Sequence, residues 1–311
     1  MDSSLLTAQP GLPGFVKIVE VGPRDGLQNE ATVLSTEVKI DFINQLSLAG
    51  FSTIEAASFV SPKWVPQMAA STDIMAGIRR HPGVIYSALT PNMKGFEAAL
   101  EAGVNEVVIF GSASEAFSQK NINCSIAESI GRFRSVADAA KDNHLRLRGS
   151  ISCSFGCPYQ GEVSAQSVAD VVKQLRDLGC DEIDIADTIG VGTPRHVQTV
   201  MTYAAREFSV DALSGHFHDT YGQALANIYA SLEVGIHIFH SSVGGLGGCP
   251  YAKGATGNVA TEDVLFLMQG LGIETGIDLH KVVDAGQFIS RQIGRKAVSR
   301  AGNALAARGT V

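Results

Sequence analysis

The sequence predicts a TIM barrel, in which eight parallel β-strands are each followed by an α-helix. Three observations lead there. Short apolar segments alternate strictly with helical patterns, which calls for a parallel sheet. About eight such units follow one another without a composition break, a linker or a low-complexity tract, and at that number closure into a barrel is the leading solution. The length of 311 residues suits one barrel of about 250 residues with extensions. Residues 1–311 therefore read as a single α/β domain, with the barrel over about 15–275 and a C-terminal helical extension over about 279–308. A doubly wound open sheet is the alternative. It usually carries G-x-G-x-x-G after the first strand, where this chain has Gly22-Pro23-Arg24-Asp25-Gly26, and no Walker A loop occurs in context.

Taken in order, residues 15–21 form the first strand and Thr36 to Ala49 the first helix. A second strand over 51–57 leads to a helix over 71–80. The third strand, 84–89, precedes a helix opened by Thr90-Pro91, with proline in a first turn where its missing N–H costs little. Residues 106–111 give the fourth strand, then a longer connection and a helix near 125–141. The pairs 145–154 with 164–178, and 181–187 with a helix begun by Thr193-Pro194, continue the series. Strand 212–218 leads to helix 223–235, and strand 236–243 leads through a loop with six glycines to helix 261–270. The last helical region, 279–308, has no strand after it.

Composition narrows the class. Hydrophobic residues make up 45% and charged residues only 18%, which fits strands covered on both faces. A net charge of −7 leaves no electrostatic footprint for nucleic acid. No run approaches the roughly 18 apolar residues of a membrane span. Residues 1–14 lack the pattern of a signal or transit peptide, and five cysteines without an export signal read as reduced thiols, so a cytoplasmic enzyme is expected. Cys124, Cys153, Cys157 and Cys180 read as small packed hydrophobes, and the Cys153–Cys157 pair lacks the second pair a zinc site needs.

In a TIM barrel the loops after the strands converge on one mouth, where catalysis sits. The predicted strand ends there carry Arg24 and Asp25, Glu55, Thr90, Cys153, Asp187, His216 and His218, with Asn258 beyond the last. His216 and His218 are alternate residues of a strand, so both imidazoles face one way. One aspartate, two histidines and an amide oxygen form a mixed O/N set that suits Mg²⁺ or Mn²⁺ better than structural zinc. Asp25, His216, His218 and Asn258 are the expected ligands. Each has a plainer reading. Asp25 alone suits a turn or N-cap, Arg24 a bridge to Glu55 or Asp187, and either histidine a satisfied polar residue. The remaining histidines, His240 among them, have no comparable context, and Glu262 and Asp263 read as first-turn acids of a helix. Cys249 lies inside the glycine loop, Val243 to Asn258.

Together these stretches resemble the 3-hydroxy-3-methylglutaryl-CoA lyases of the DRE-TIM metallolyase group. The likeness runs from about Val16 to Arg295 and includes residues 19–30, 58–68, 120–125, 187–194 and 218–227, then the glycine loop. It implies a TIM barrel, dependence on Mg²⁺ or Mn²⁺, and cleavage of the (S)-acyl-CoA to acetyl-CoA and acetoacetate, as in leucine degradation and ketone-body metabolism. By the resemblance, Asp25, His216, His218 and Asn258 match the metal ligands, Arg24 and Cys249 the catalytic arginine and loop cysteine, and Glu55 and Asp187 supporting acids. His216 counts among the catalytic groups too, and a homodimer or larger homo-oligomer is expected. Retro-aldol cleavage removes the C3 hydroxyl proton, breaks C2–C3 and holds an enolate. Arg24 suits the thioester oxygen where that charge develops, and Cys249 suits protonation of the enolate carbon. His240 and Asp184 depart from several relatives, which have aspartate and a small polar residue there. The rivals are a lyase for another 3-hydroxyacyl-CoA such as citramalyl-CoA, a Claisen synthase of the same barrel group, and a non-catalytic barrel that binds metal or acyl-CoA.

Overall fold

The computed structural model describes residues 9–248 and 257–308. Eight strands close into one all-parallel barrel in sequence order: β1 (Lys17–Glu20), β2 (Thr53–Ser58), β3 (Ile85–Leu89), β4 (Glu106–Ser112), β5 (Arg146–Ser152), β6 (Glu182–Asp187), β7 (Leu213–Phe217) and β8 (Ile238–Ser241). Closure is made by β1 against β8, with Lys17 opposite Ile238 and Glu20 opposite Ser241. Every residue of β2 and of β6 is buried, including Glu55 and Asp187. Strands covered on both sides account for the low charged fraction, since a charge is admitted only where it finds a partner.

Helices α1 (Thr36–Leu48), α2 (Ser71–Gly77) and α3 (Met93–Glu101) follow the first three strands. Asn92, not Thr90-Pro91, starts α3: its side chain accepts the Gly95 N–H, satisfying an amide the helix leaves orphaned. The connection after β4 contains a helix the sequence reading passed over, α4 (Glu115–Ile122), capped by Ser114. Next comes α5 (Ile126–Asp142), opened by a Ser125/Glu128 capping box. Then α6 (Ala165–Leu178), α7 (Pro194–Ala204), α8 (Ala224–Glu233) and α9 (Thr261–Leu271) complete the outer ring. The C-terminal region is two helices rather than one, α10 (Leu279–Ile293) and α11 (Arg300–Ala307). Gly294 divides them, taking φ 78° at the C-cap of α10, where a side chain would be strained. Among the described residues no helix is long and apolar enough to cross a membrane.

Inside the barrel, charges come in partnered layers. Arg148 has no exposed surface; it pairs with Glu55 through one side-chain nitrogen and with Glu106 through another at 3.4 Å. Lys17 pairs with Glu182 at 2.8 Å. This polar column supports the mouth from below.

Candidate metal centre

After β1 the chain makes a tight π-helical turn, Gly22–Gly26, that lifts Arg24 and Asp25 to the mouth. The turn lies close against the root of the glycine loop: a Cβ on Gly26 would stand 2.8 Å from Leu246 Cβ, so the position excludes any side chain. Glu20, buried at the end of β1, accepts the N–H groups of Gly22 (2.8 Å) and Val243 (3.0 Å) and the Thr261 hydroxyl (2.7 Å). Three elements are thereby tied to one carboxylate.

His216 is in β7 and His218 just beyond it, with ring centroids 5.6 Å apart. The chain returning from the glycine loop pairs antiparallel with this strand end, His218 opposite Asn258. Asp219 N–H donates to the Gly257 carbonyl at 2.9 Å, and Val259 N–H to that of Phe217 at 3.0 Å. That pairing carries Asn258 to the histidines. Its Oδ1 lies 2.8 Å from His216 Nε2, and its amide donates to Asp25 Oδ2 at 2.8 Å. Asp25 Oδ2 is 3.8 Å from His216 Nε2. Asp25, His216 and His218 each offer a ligand atom within 4.8 Å of the others. In an octahedral shell at about 2.1 Å, adjacent donors stand about 3 Å apart and opposite ones about 4 Å. The His216 separations from Asn258 and Asp25, 2.8 and 3.8 Å, are close to those values. One further atom fits: His218 Nδ1 is buried without a hydrogen-bond partner, a cost of roughly 1–3 kcal/mol that a ligated cation would remove. The four residues expected from the sequence are brought together, and they fit a hard divalent cation.

Their electrostatics agree. Burial works to raise the Asp25 carboxyl, but Arg24, His216, His218 and the Asn258 amide outweigh it and hold it below the usual carboxylate range. Burial, with His216 beside it, lowers His218 to about 4, so its ring is neutral and has a lone pair to give. Arg24 bonds Glu55 through Nε and Asp25 Oδ1 through a terminal nitrogen at 2.7 Å. The other Glu55 oxygen takes Arg148, so Glu55 is clamped between two guanidinium groups and aims the first. Asp187 differs from the rest. It has no exposed surface, and its oxygens accept the N–H groups of Val191 (3.0 Å) and Gly192 (2.8 Å) of its own turn. Burial raises it to about 6 against the pull of those amides. Cys249 falls in 249–256, outside the described residues.

Two sequence readings need correction. His240 does have a functional context: its ring stands 5.4 Å from that of His216, and its Nε2 is 3.2 Å from both Arg148 and Glu182. Asp184, His216 and His240 form a second group of donor atoms within 4.8 Å, though the Arg148 guanidinium beside His240 disfavours a cation there. Glu262 is more than a first-turn acid, since it is buried with both oxygens 2.9 Å from the Gly244 N–H. Asp263 caps α11, taking the Ala301 N–H at 2.7 Å and the Ser299 hydroxyl at 2.9 Å. Sequence reasoning missed Arg148, Glu106 and Glu182. The signal was present, because charges inside strands of a closed barrel have only the interior or the helix layer to face.

Comparison with known proteins gives the same picture. A family model described as HMGL-like matches residues 15–289. A 3-hydroxy-3-isohexenylglutaryl-CoA/hydroxy-methylglutaryl-CoA lyase of Pseudomonas aeruginosa is 59% identical over 297 residues, covering 96% of this chain and 99% of that protein. A solved hydroxymethylglutaryl-CoA lyase from Pseudomonas aeruginosa is 58% identical, with TM-score 0.95 over 96% of this chain and 100% of that one. An HMG-CoA lyase from Acinetobacter baumannii, solved with coenzyme A and 3-methylmalate, is 38% identical, with TM-score 0.90 over 95% of each chain.

Proposed function

The chain belongs to the HMGL-like family, and from that premise we propose that it is a divalent-metal-dependent carbon–carbon lyase. It cleaves (S)-3-hydroxy-3-methylglutaryl-CoA to acetyl-CoA and acetoacetate, the activity named for its relatives at 59% and 58% identity. The observation that carries the metal-dependent mechanism is the convergence of Asp25, His216, His218 and Asn258 from three separate stretches of the chain. Mg²⁺ or Mn²⁺ held there supplies a Lewis acid that orients the substrate and makes its C3 hydroxyl more acidic.

The chain's own residues do the rest. Arg24, aimed by Glu55, donates to the thioester oxygen on which enolate charge gathers, a fixed fork that stays protonated throughout. Asp25 keeps 21% of its side chain open and so meets the substrate, unlike the enclosed Glu55 and Asp187. It is the proposed acceptor of the hydroxyl proton. Asp187 positions: it orders the turn containing Thr188, whose backbone bonds His218. Cys249 is the proposed acid that protonates the enolate carbon, so Cys249→Ala is expected to depress kcat while metal binding is retained. The acyl-CoA arm enters at the barrel mouth. We place the protein in the cytoplasm on its reduced thiols, and as a homo-oligomer by family likeness.

The name of the P. aeruginosa relative makes the C3 substituent a second question. Purified protein is incubated with 3-hydroxy-3-methylglutaryl-CoA, its 3-isohexenyl counterpart and citramalyl-CoA, with and without EDTA. Acetyl-CoA released from the methyl substrate, lost with EDTA and restored by Mg²⁺ or Mn²⁺, is the expected result. Turnover insensitive to EDTA would remove the metal, and turnover of citramalyl-CoA alone would reassign the substrate.

A further inference from the structure

Beyond Ser152, the last residue of β5, the chain turns over the barrel mouth, and two thiols meet there. Cys157 and Gly161 exchange backbone hydrogen bonds of 2.8 and 3.0 Å, which close the turn. The Cys157 sulfur has donors around it: the Tyr159 N–H at 3.4 Å, the Gln160 N–H at 3.5 Å, the Cys153 thiol, and the Ser114 hydroxyl at 2.9 Å, whose one proton is shared with Gln160 Oε1 at 2.6 Å. Ser114 is the N-cap of α4, so the sulfur also stands at the positive end of a helix. Such a ring of donors fits a thiolate, which accepts strongly, far better than a thiol. Burial by itself raises this thiol; the bonds from Ser114, Gln160, Tyr159 and Cys153 outweigh it and lower it. Cys180, by contrast, is pushed up by burial and by Asp181. Cys153 is fully buried and Cys157 is 4% exposed, with Tyr159, 45% exposed, and the exposed Gln160 beside it.

We propose that Cys153 and Cys157 are a reversible two-electron redox site that a hydroperoxide converts to a disulfide. The Cys157 thiolate attacks one peroxide oxygen, and the O–O bond breaks to leave a sulfenic acid and hydroxide. Cys153 then gives its thiol proton to that hydroxide and attacks the Cys157 sulfur, forming S–S and expelling a second hydroxide. With the proton that Cys157 released on becoming a thiolate, which converts the last hydroxide to water, the sum is two thiols and hydrogen peroxide giving a disulfide and two waters. Both electrons pass from sulfur to the peroxide oxygens. The turn is mechanically joined to the metal centre. Cys153 N–H donates to Thr188 Oγ1 at 2.8 Å, and the Thr188 backbone bonds His218. Phe155 packs against Phe217 with ring centroids 5.8 Å apart. Drawing the two sulfurs to bonding distance therefore pulls on the residues that seat a ligand.

Both cysteines fall on one tryptic peptide, Gly149 to Lys173. The reduced full-length protein is treated with limiting hydrogen peroxide, alkylated, digested and read by mass. The expected result is that this peptide loses two hydrogens and resists alkylation at least about tenfold sooner than the peptides carrying Cys124 and Cys180 become modified. Dithiothreitol restores it. In Cys153→Ser, Cys157 is expected to stop at a sulfenic acid that dimedone traps. Oxidation no faster than at Cys124 or Cys180, or a wild-type Cys157 that reaches sulfinic acid with Cys153 still free, overturns the proposal.

Discussion

Replacing Glu262 with glutamine is expected to stabilise the protein at alkaline pH and not at acid pH. Glu262 lies in the first turn of α9 under the root of the glycine loop, and its carboxyl is raised from 4.5 to about 8. Burial is the main cause, offset in part by the Gly244 N–H and reinforced by Glu20 and Asp263. Between those values the folded protein holds a proton that the unfolded chain has released. Folding therefore binds protons in that window, and stability falls as pH rises through it. At about 1.4 kcal/mol per pH unit, ionisation costs on the order of 5 kcal/mol by pH 8, and nothing below about pH 4.5. Glutamine keeps the shape and an oxygen for Gly244 and cannot ionise. An unfolding entropy of about 2.1 cal/mol/K per residue over 311 residues makes each kcal/mol worth about 1.5 °C. Calorimetry of Glu262→Gln should thus show a Tm about 7 °C above wild type at pH 8.5 to 9, shrinking toward zero near pH 5. A difference that stays constant across that range, or runs the other way, refutes the reasoning.

Three further outcomes follow from the mouth. Arg24→Gln is expected to lower kcat by about 100- to 1000-fold, the worth of one charge-stabilising donor; Mn²⁺ titration should show the metal still bound, since Glu55 keeps Arg148 as its partner. Asn258→Ala removes one proposed ligand and frees Asp25 Oδ2, and calorimetric titration with Mn²⁺ should report affinity weaker by at least about tenfold. Asp187 gains a proton below about 6 and then gives up one of its two amide donors. A kcat–pH profile is expected to fall on the acid side near that value, and Asp187→Asn to lose the fall while running about tenfold lower throughout. A profile flat to pH 5 in wild type would dismiss the Asp187 part.

The barrel was legible because its grammar is local. Each strand and helix shows its period within a dozen residues, and the order of the units alone implies parallel pairing and closure. Asp25, His216 and His218 were legible for the same reason, standing at strand ends that a barrel gathers. Helix α4 was not, because its short run Glu115 to Ile122 has little apolar periodicity and depends on the Ser114 cap and the packing of Phe117. The start of α3 slipped because Thr90 before a proline and an asparagine cap two residues after that threonine look alike on paper. Arg148, Glu106 and Glu182, the interior column that backs Glu55, escaped for a deeper reason. Each residue, taken singly, is an ordinary surface charge, and only the register of four strands puts their side chains on one axis. Glu262 is a first-turn acid of α9 as its position implies, but its burial was not legible: a first-turn acid commonly faces solvent, and here α10 and α11 cover it, with Gly286 and Gly302 leaving it room.

The two stems of the glycine loop are fastened independently. Val243 and Gly244 hang from Glu20 and Glu262, while Asn258 and Val259 are sewn to the end of β7. Every proposed donor to the ion therefore lies on a fastened stem, at the end of β7 or in the turn after β1. Natural drift or a protein engineer can vary the sequence between those stems, Cys249 excepted, while the posts keep their spacing. Selectivity and metal retention are then separable traits, free to evolve on different clocks.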